Sequence, residues 1–98
     1  EALLLQEAGV FALVLEKIPA KVAAEVTSAL RIPTIGIGAG AACDGQILVT
    51  HDMLGLFEKF KPKFVRRYAE LGRVMREVFA AYRQQVKSGA FPAERESY

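Results

Sequence analysis

The sequence is poor in the side chains that build disulfides and metal centres. Its 98 residues include one cysteine, Cys43, and one histidine, His51. A single cysteine excludes an internal disulfide and a cysteine-based zinc site, and a single histidine excludes a site with several histidine ligands. A lone free thiol is typical of a reducing compartment, so we predict a cytoplasmic protein in which Cys43 is a small packing residue.

Long hydrophobic runs are also missing. No stretch reaches the roughly 18 apolar residues that a membrane-spanning helix needs. Residues 1–7 lack the basic start and the cleavage site of a signal peptide. They begin in mid-pattern without an initiator methionine, so we expect a longer parent protein. Apolar residues make up 52% and charged residues 24% of the chain, which is ordinary for a globular protein.

The charge is small in total but unevenly distributed. The net charge is +2, yet residues 59–87 carry nine Lys or Arg against Glu70 and Glu77. A basic segment can bind nucleic acid. These charges accompany apolar residues at helical spacing, however, so we predict a solvated helix face and no nucleic-acid partner.

The apolar pattern predicts helices and strands in the order α-β-α-β-β-α-α. Helices are expected over residues 1–8 and 20–30, and strands over 10–15, 32–37 and 46–49. Helical spacing recurs over residues 61–87, which we predict as two pieces meeting near Gly72, starting at Pro62 and ending at Gly89. The stripe consists of Phe64, Tyr68, Leu71, Met75, Val78, Phe79, Tyr82 and Val86.

Strand, helix and strand in succession predict parallel strands with a right-handed crossover. The apolar run before Glu16 predicts a strand buried on both faces. Three such strands would leave bare edges. Either the chain pairs with copies of itself, or it is the last third of a (β/α)8 barrel, which needs about 250 residues.

Glu16 is the principal candidate for chemistry. It ends an apolar strand, where α/β folds place their functional groups, and Pro19 follows soon after. Apolar surroundings disfavour the charged form of a carboxyl group, and a carboxylate tuned in this way is a usable general base at neutral pH. The alternative is a solvent-facing Glu16 that pairs with Lys17.

Other polar or flexible positions have simpler explanations. The glycines at 36, 38 and 40 follow a strand and suit either a tight packed turn or a backbone anion contact. We expect Asp44 to cap backbone N–H groups. His51 could be a proton carrier, but we favour a strand-end residue hydrogen-bonded to backbone. Asp52 lies beside His51 with no assigned role.

Several segments, in order, closely resemble the ketopantoate hydroxymethyltransferase family. The match covers essentially the whole chain and the C-terminal part of that family. Its segments are residues 13–16, 18–19, 32–40, 44–49, 51–52, Gly55, 62–64, 68–69, 71–72, Gly89, 91–92 and 97–98.

This resemblance implies the C-terminal portion of a (β/α)8 barrel of the phosphoenolpyruvate/pyruvate type, with residues 1–98 as an incomplete part of one domain. It implies transfer of a one-carbon unit from 5,10-methylenetetrahydrofolate to 2-oxoisovalerate, giving ketopantoate for pantothenate and coenzyme A. It also implies Glu16 as general base, Mg²⁺ as cofactor, and large cytosolic homo-oligomers, commonly decamers.

The resemblance also indicates what these residues lack. The family's metal ligands fall in its N-terminal part, so we assign no metal ligand here and do not substitute Asp44 or Asp52. The folate-contacting residues are not assigned, and we expect the 98 residues alone to be inactive. A non-catalytic α/β module that self-assembles is the alternative, and nucleic-acid binding is a third.

Overall fold

A computed structural model describes residues 1–98 and confirms an α/β chain with three parallel strands. The strands form one sheet in the order β1-β2-β3. The elements are α1 (Ala2–Glu7), β1 (Leu13–Glu16), α2 (Ala20–Ala29), β2 (Thr34–Ile37), β3 (Gly45–Gln46), α3 (Thr50–Met53), α4 (Leu71–Ser88) and a 3₁₀ turn (Glu94–Glu96).

The chain divides into two compact units. The first contains Glu1–Val49 and Pro62–Val65, and the second contains Thr50–Lys61 and Arg66–Tyr98. The sheet lies in the first unit. No helix of the chain is both long and apolar enough to cross a membrane.

The core of the first unit lies between the sheet and α2. Leu15, Ala23 and Ala39 are buried together, because the apolar face of α2 packs on one face of β1. The side chain of Cys43 packs against the same cluster, which confirms its predicted packing role. Gly9, just after α1, has a φ of +97°, the left-handed conformation that glycine readily adopts at helix ends.

The prediction that the first strand is buried on both faces is wrong for these 98 residues. Leu15 is 8% exposed, whereas Val14, its neighbour in β1, is 55% exposed. Successive strand residues point to opposite faces. One face is therefore covered by α2, and the chain provides no second layer for the other.

The strand boundaries differ modestly from the prediction. The first strand begins at Leu13 and includes Glu16, and the second begins at Thr34, because the preceding Pro33 has no N–H to donate. The third strand comprises only Gly45 and Gln46. Its register pairs these two residues with Ile35 and Gly36.

A helix over residues 61–70 was predicted and is not formed. In the second unit the Tyr68 N–H donates to the Met53 carbonyl at 2.8 Å, and the Leu71 N–H donates to the Leu54 carbonyl at 3.0 Å. These bonds give the Tyr68 and Leu71 N–H groups acceptors in another segment of the chain, where a helix would have used the carbonyls four residues earlier. Pro62 therefore does not start a helix, and α4 begins only at Leu71.

Helix α4 ends as predicted but remains open to solvent. Gly89 adopts a φ of +79° at its C-terminal end, the left-handed conformation expected there. No residue of α4 is buried, and Phe79, in its apolar stripe, is 62% exposed. The predicted solvated face is present, but the apolar face is solvated as well.

Candidate functional site

The carboxyl ends of β1 and β2 lie side by side. Glu16 is the last residue of β1, and it pairs in register with Ile37, the last residue of β2. The sequence predicted Glu16 at the end of a strand, and the structure places it there. In parallel sheets this edge is where ligands bind.

Glu16 and Val14 occupy the face of β1 that α2 does not cover. Since Leu15 points into the α2 cluster, alternation places Glu16 on the opposite face. Glu16 is exposed and makes no ion pair, with Lys17 or with any other cation. The apolar walls expected around its carboxylate are therefore not formed by these 98 residues.

Lys17 has an unusual backbone conformation directly after Glu16. Its φ is +50°, and every other residue with positive φ in the chain is a glycine. The Lys17 N–H donates to the Ile37 carbonyl at 2.9 Å, so the hydrogen-bond ladder between the two strands extends one residue beyond Glu16. The backbone thus turns sharply at Lys17, while the Lys17 N–H remains hydrogen-bonded to β2.

The glycine-rich segment after β2 is tightly packed. A Cβ placed at Gly38 would lie 2.8 Å from the Phe64 ring, and one at Gly40 would lie 2.5 Å from the Ala20 Cβ. The Gln46 side-chain amide donates to the Gly40 carbonyl at 2.8 Å. These contacts support the interpretation as a packed turn, while a ligand contact of the same backbone stays a prediction.

Asp44 caps backbone as predicted, and its partner is Thr34. The Thr34 N–H donates to Asp44 Oδ2 at 2.8 Å, and the two hydroxyls of Thr27 and Thr34 lie 2.8 Å apart. Thr34 is fully buried. This network joins α2, β2 and the turn before β3, which is a structural role.

His51 and Asp52 belong to the second unit and lie within α3. The prediction of His51 as a strand-end residue is therefore wrong, because β3 already ends at Gln46 and the chain forms a helical turn at Thr50–Met53. Its backbone carbonyl accepts the Leu56 N–H at 2.9 Å, while its exposed imidazole makes no hydrogen bond.

The residues present do not fit the Mg²⁺ ion that the resemblance implies. No group of three or more His, Cys, Asp or Glu side chains is arranged to hold a metal ion. Hard divalent cations such as Mg²⁺ need several oxygen ligands in near-octahedral geometry. That the ligands lie outside residues 1–98 stays a prediction.

Sequence reasoning missed three features near the site. The buried Thr34 was visible only as a polar residue inside an apolar strand, which signals a hydrogen-bond partner without naming it. Gln46 follows the Asp–Gly turn and gave no signal of its bond to Gly40. The left-handed conformation of Lys17 had no signal, since lysine is not enriched in that region.

The fold and the edge carboxylate together define a class: an α/β protein built from parallel strands, with a candidate acid–base residue where one of them ends. Within that class, the sequence profile of a family described as "Ketopantoate hydroxymethyltransferase" matches residues 1–94. The chain belongs to this family, whose fold is a (β/α)8 barrel.

Curated relatives agree with the family assignment, and each carries the name 3-methyl-2-oxobutanoate hydroxymethyltransferase. The chain is 64% identical over 98 residues to the protein of Prosthecochloris aestuarii, covering 100% of this chain and 35% of the relative. It is 61% identical over 98 residues to that of Chlorobium phaeobacteroides, with the same shares, 100% and 35%. It is 61% identical over 93 residues to that of Trichlorobacter lovleyi, covering 95% of this chain and 35% of the relative.

The chain thus spans about a third of the length of the curated relatives it matches. It is a fragment of a (β/α)8 barrel, which accounts for a sheet with only three strands and one covered face.

Proposed function

We propose that this chain supplies the general base of a 3-methyl-2-oxobutanoate hydroxymethyltransferase. The reaction transfers a one-carbon unit from 5,10-methylenetetrahydrofolate to 2-oxoisovalerate and yields ketopantoate for the synthesis of pantothenate. Glu16 is the base. The observation that carries this assignment is that Glu16 ends β1 on the face opposite α2, at the carboxyl edge of a parallel sheet.

Glu16 suits this role by chemistry as well as by position. Its carboxylate takes the proton from C3 of 2-oxoisovalerate, next to the carbonyl, and the C–H electron pair moves into an enolate. The enolate carbon then forms the new C–C bond to the methylene carbon of the folate. Both bonds from that carbon to the folate nitrogens break, water supplies the hydroxyl group of ketopantoate, and tetrahydrofolate leaves with a proton on each of the two nitrogens. A positioned carboxylate contributes about 10²- to 10⁴-fold to such a proton transfer.

The rest of the site comes from the remaining length of the protein. Residues 1–98 hold no cluster of metal-ligating side chains. A Mg²⁺ ion would therefore be held by residues of the remaining length, and it would supply positive charge next to the enolate oxygen. Glu16 and Val14 are exposed on the same face of β1, which supports a site completed by the remaining length of the protein. A second layer over this face would also exclude water from the reacting carbon. The 98 residues alone are expected to be inactive.

The partners proposed for the full-length protein are the keto acid, the folate and further copies of itself in a cytoplasmic homo-oligomer. No nucleic acid is included. In α4 Arg73 already pairs with Glu70 and Glu77, and Arg76 pairs with Glu58, which leaves fewer free cations for a phosphate backbone.

The test is isotope exchange in a full-length transferase that carries residues 1–98. In deuterated buffer with Mg²⁺ and without folate, proton NMR follows loss of the C3 proton of 2-oxoisovalerate. Glu16→Gln removes the base but keeps the shape of the side chain, so we expect exchange to slow by about 10²- to 10⁴-fold. Mg²⁺ binding should be unchanged.

Glu25→Gln is the matched control, because Glu25 is an exposed carboxylate on α2 and belongs to no site. Its exchange rate should equal that of the parent protein. Exchange at the parent rate in Glu16→Gln would refute Glu16 as the base. Absence of exchange in the parent protein would refute the proposed reaction.

A further inference from the structure

We propose that Lys17 is a positioning residue for Glu16, acting through its backbone conformation. By adopting left-handed φ, Lys17 ends β1 directly after Glu16 and thereby fixes the direction in which the Glu16 carboxylate leaves the sheet. This inference rests on the proposed function of Glu16 as base.

The conformation is specific to this position. Lys17, at a φ of +50°, is the only non-glycine residue with positive φ among residues 1–98. Residues with a Cβ are sterically disfavoured there, and β-branched residues most of all. Such conformations persist where the surrounding structure holds them in place, and they concentrate at functional sites.

Contacts on both sides hold Lys17 in place. Its N–H donates to the Ile37 carbonyl at 2.9 Å, which fixes the strand end. The next residue, Ile18, packs against the cluster formed by Leu15, Ala23 and Ala39, and Pro19 caps the start of α2. Lys17 is therefore where the chain turns from the sheet edge toward α2.

The turn determines where Glu16 lies. On one side of Glu16, Leu15 belongs to the buried cluster, and on the other side the partly buried Ile18 packs against that cluster. If residue 17 were extended, the chain would continue along the strand and Ile18 would leave the cluster. Keeping Ile18 in contact with the cluster would instead require the backbone of residues 15–17 to shift, and this would move the carboxylate of Glu16.

The experiment compares Lys17→Val with Lys17→Asn in the full-length transferase. Both substitutions remove the charge and shorten the side chain, but valine resists left-handed φ while asparagine accepts it. The readouts are kcat and KM for exchange of the C3 proton of 2-oxoisovalerate, and the melting temperature. A misplacement of about 1 Å can cost 10²-fold in rate, so we expect Lys17→Val to lower kcat by about tenfold or more, with KM within about twofold.

Lys17→Asn should have a kcat within about twofold of that of the parent protein. If the charge or the aliphatic part of the lysine side chain were what mattered, Lys17→Asn would lose activity as Lys17→Val does. Unchanged kcat in folded Lys17→Val would overturn the inference, as would equal losses in both variants. If Lys17→Val does not fold, the test uses Lys17→Asn and Lys17→Gly, since both asparagine and glycine accept left-handed φ. A tenfold loss of kcat in both variants would overturn the inference, and a kcat like that of the parent protein would support it. Loss of exchange in Glu16→Gln combined with parent-like kcat in Lys17→Val refutes the role of Lys17 and leaves Glu16 as the base.

Discussion

At the scale of single residues, Thr34 is the one polar side chain that the fold buries completely. Its N–H and hydroxyl both donate to Asp44 Oδ2, at 2.8 and 3.2 Å, so its polar atoms are satisfied inside the first unit. The Asp–Gly turn predicted a capping role for Asp44. It did not predict the partner, because a residue ten positions away is brought close only by the parallel pairing of β2 and β3.

Replacing Asp44 should therefore destabilise the protein without touching the base. Asp44→Ala leaves the buried Thr34 N–H without an acceptor, which costs about 1–3 kcal/mol. The measurement is the urea unfolding midpoint of the full-length protein.

The control for this substitution is Glu25→Ala, an exposed change on α2 that should stay within about 0.5 kcal/mol of the parent. Asp44→Asn should lose less than Asp44→Ala, because its amide oxygen still accepts one hydrogen bond. Equal midpoints for Asp44→Ala and the parent would contradict this account.

The neighbouring carboxylates displace the pKa of Arg73. The Glu77 carboxylate, through a hydrogen bond and its charge, and then Glu70, raise the pKa of Arg73 above its ordinary value. Because the pKa of Arg73 is higher in the folded state, any stabilisation it provides is fully present at pH values below the pKa of the unfolded state. That stabilisation is lost only as the pH rises through the pKa of the folded state. Since guanidinium is charged throughout the physiological range, this raised pKa leaves the charge of Arg73 unchanged there, and the exposed pairs contribute little to stability.

At the scale of the elements, glycines with positive φ mark where the elements end. Gly40 lies in the turn after β2 and Gly89 follows α4, with φ values of +82° and +79°. Their surroundings differ, because a Cβ at Gly40 would lie 2.5 Å from the Ala20 Cβ, while one at Gly89 would meet nothing within 4 Å. Comparing Gly40 with Gly89 therefore distinguishes the cost of a left-handed conformation from the cost of steric overlap.

Substitution by alanine should show this difference. Gly89→Ala should cost only the left-handed conformation of a residue with Cβ, about 1–2 kcal/mol. Gly40→Ala carries that cost and also the overlap with Ala20 at the start of α2, so its loss of stability should be clearly larger.

Chemical unfolding of the two full-length variants measures this directly. Equal losses would show that the turn after β2 relaxes and that its packing against α2 is not a constraint. A loss confined to Gly89→Ala would contradict the assignment of the Gly40 turn as close-packed.

At the scale of the whole chain, the dominant feature is apolar surface that its own residues do not cover. Val14 on the sheet and Val78, Phe79 and Tyr82 on α4 are each more than half exposed. Exposed apolar patches of this kind mark interaction surfaces or lead to aggregation. In the family such a chain is about a third of the protein, so the remaining length and other copies of the protein are the proposed cover.

We therefore expect the 98-residue chain, produced by itself, to associate above its monomer mass in light scattering. Phe79→Glu should lower that mass, because it places a charge in the apolar stripe of α4. Gln84→Glu adds the same charge at an exposed polar position of the same helix and should leave the mass unchanged. A folded monomer at all concentrations would contradict both this expectation and the alternative of a self-assembling module.

Local sequence determined a good part of this protein. Apolar runs, together with the prolines and glycines that interrupt them, predicted the parallel α/β order, the place of Glu16 at a strand end and the glycine at the C-terminal end of α4. These features depend on residues within a few positions of each other. Only the tertiary structure decided that residues 61–70 are not helical, that Thr34 meets Asp44, and that Lys17 turns left-handed. Each of those depends on a hydrogen-bond partner or a packed neighbour distant in sequence, and periodicity carries no information about which distant group that will be.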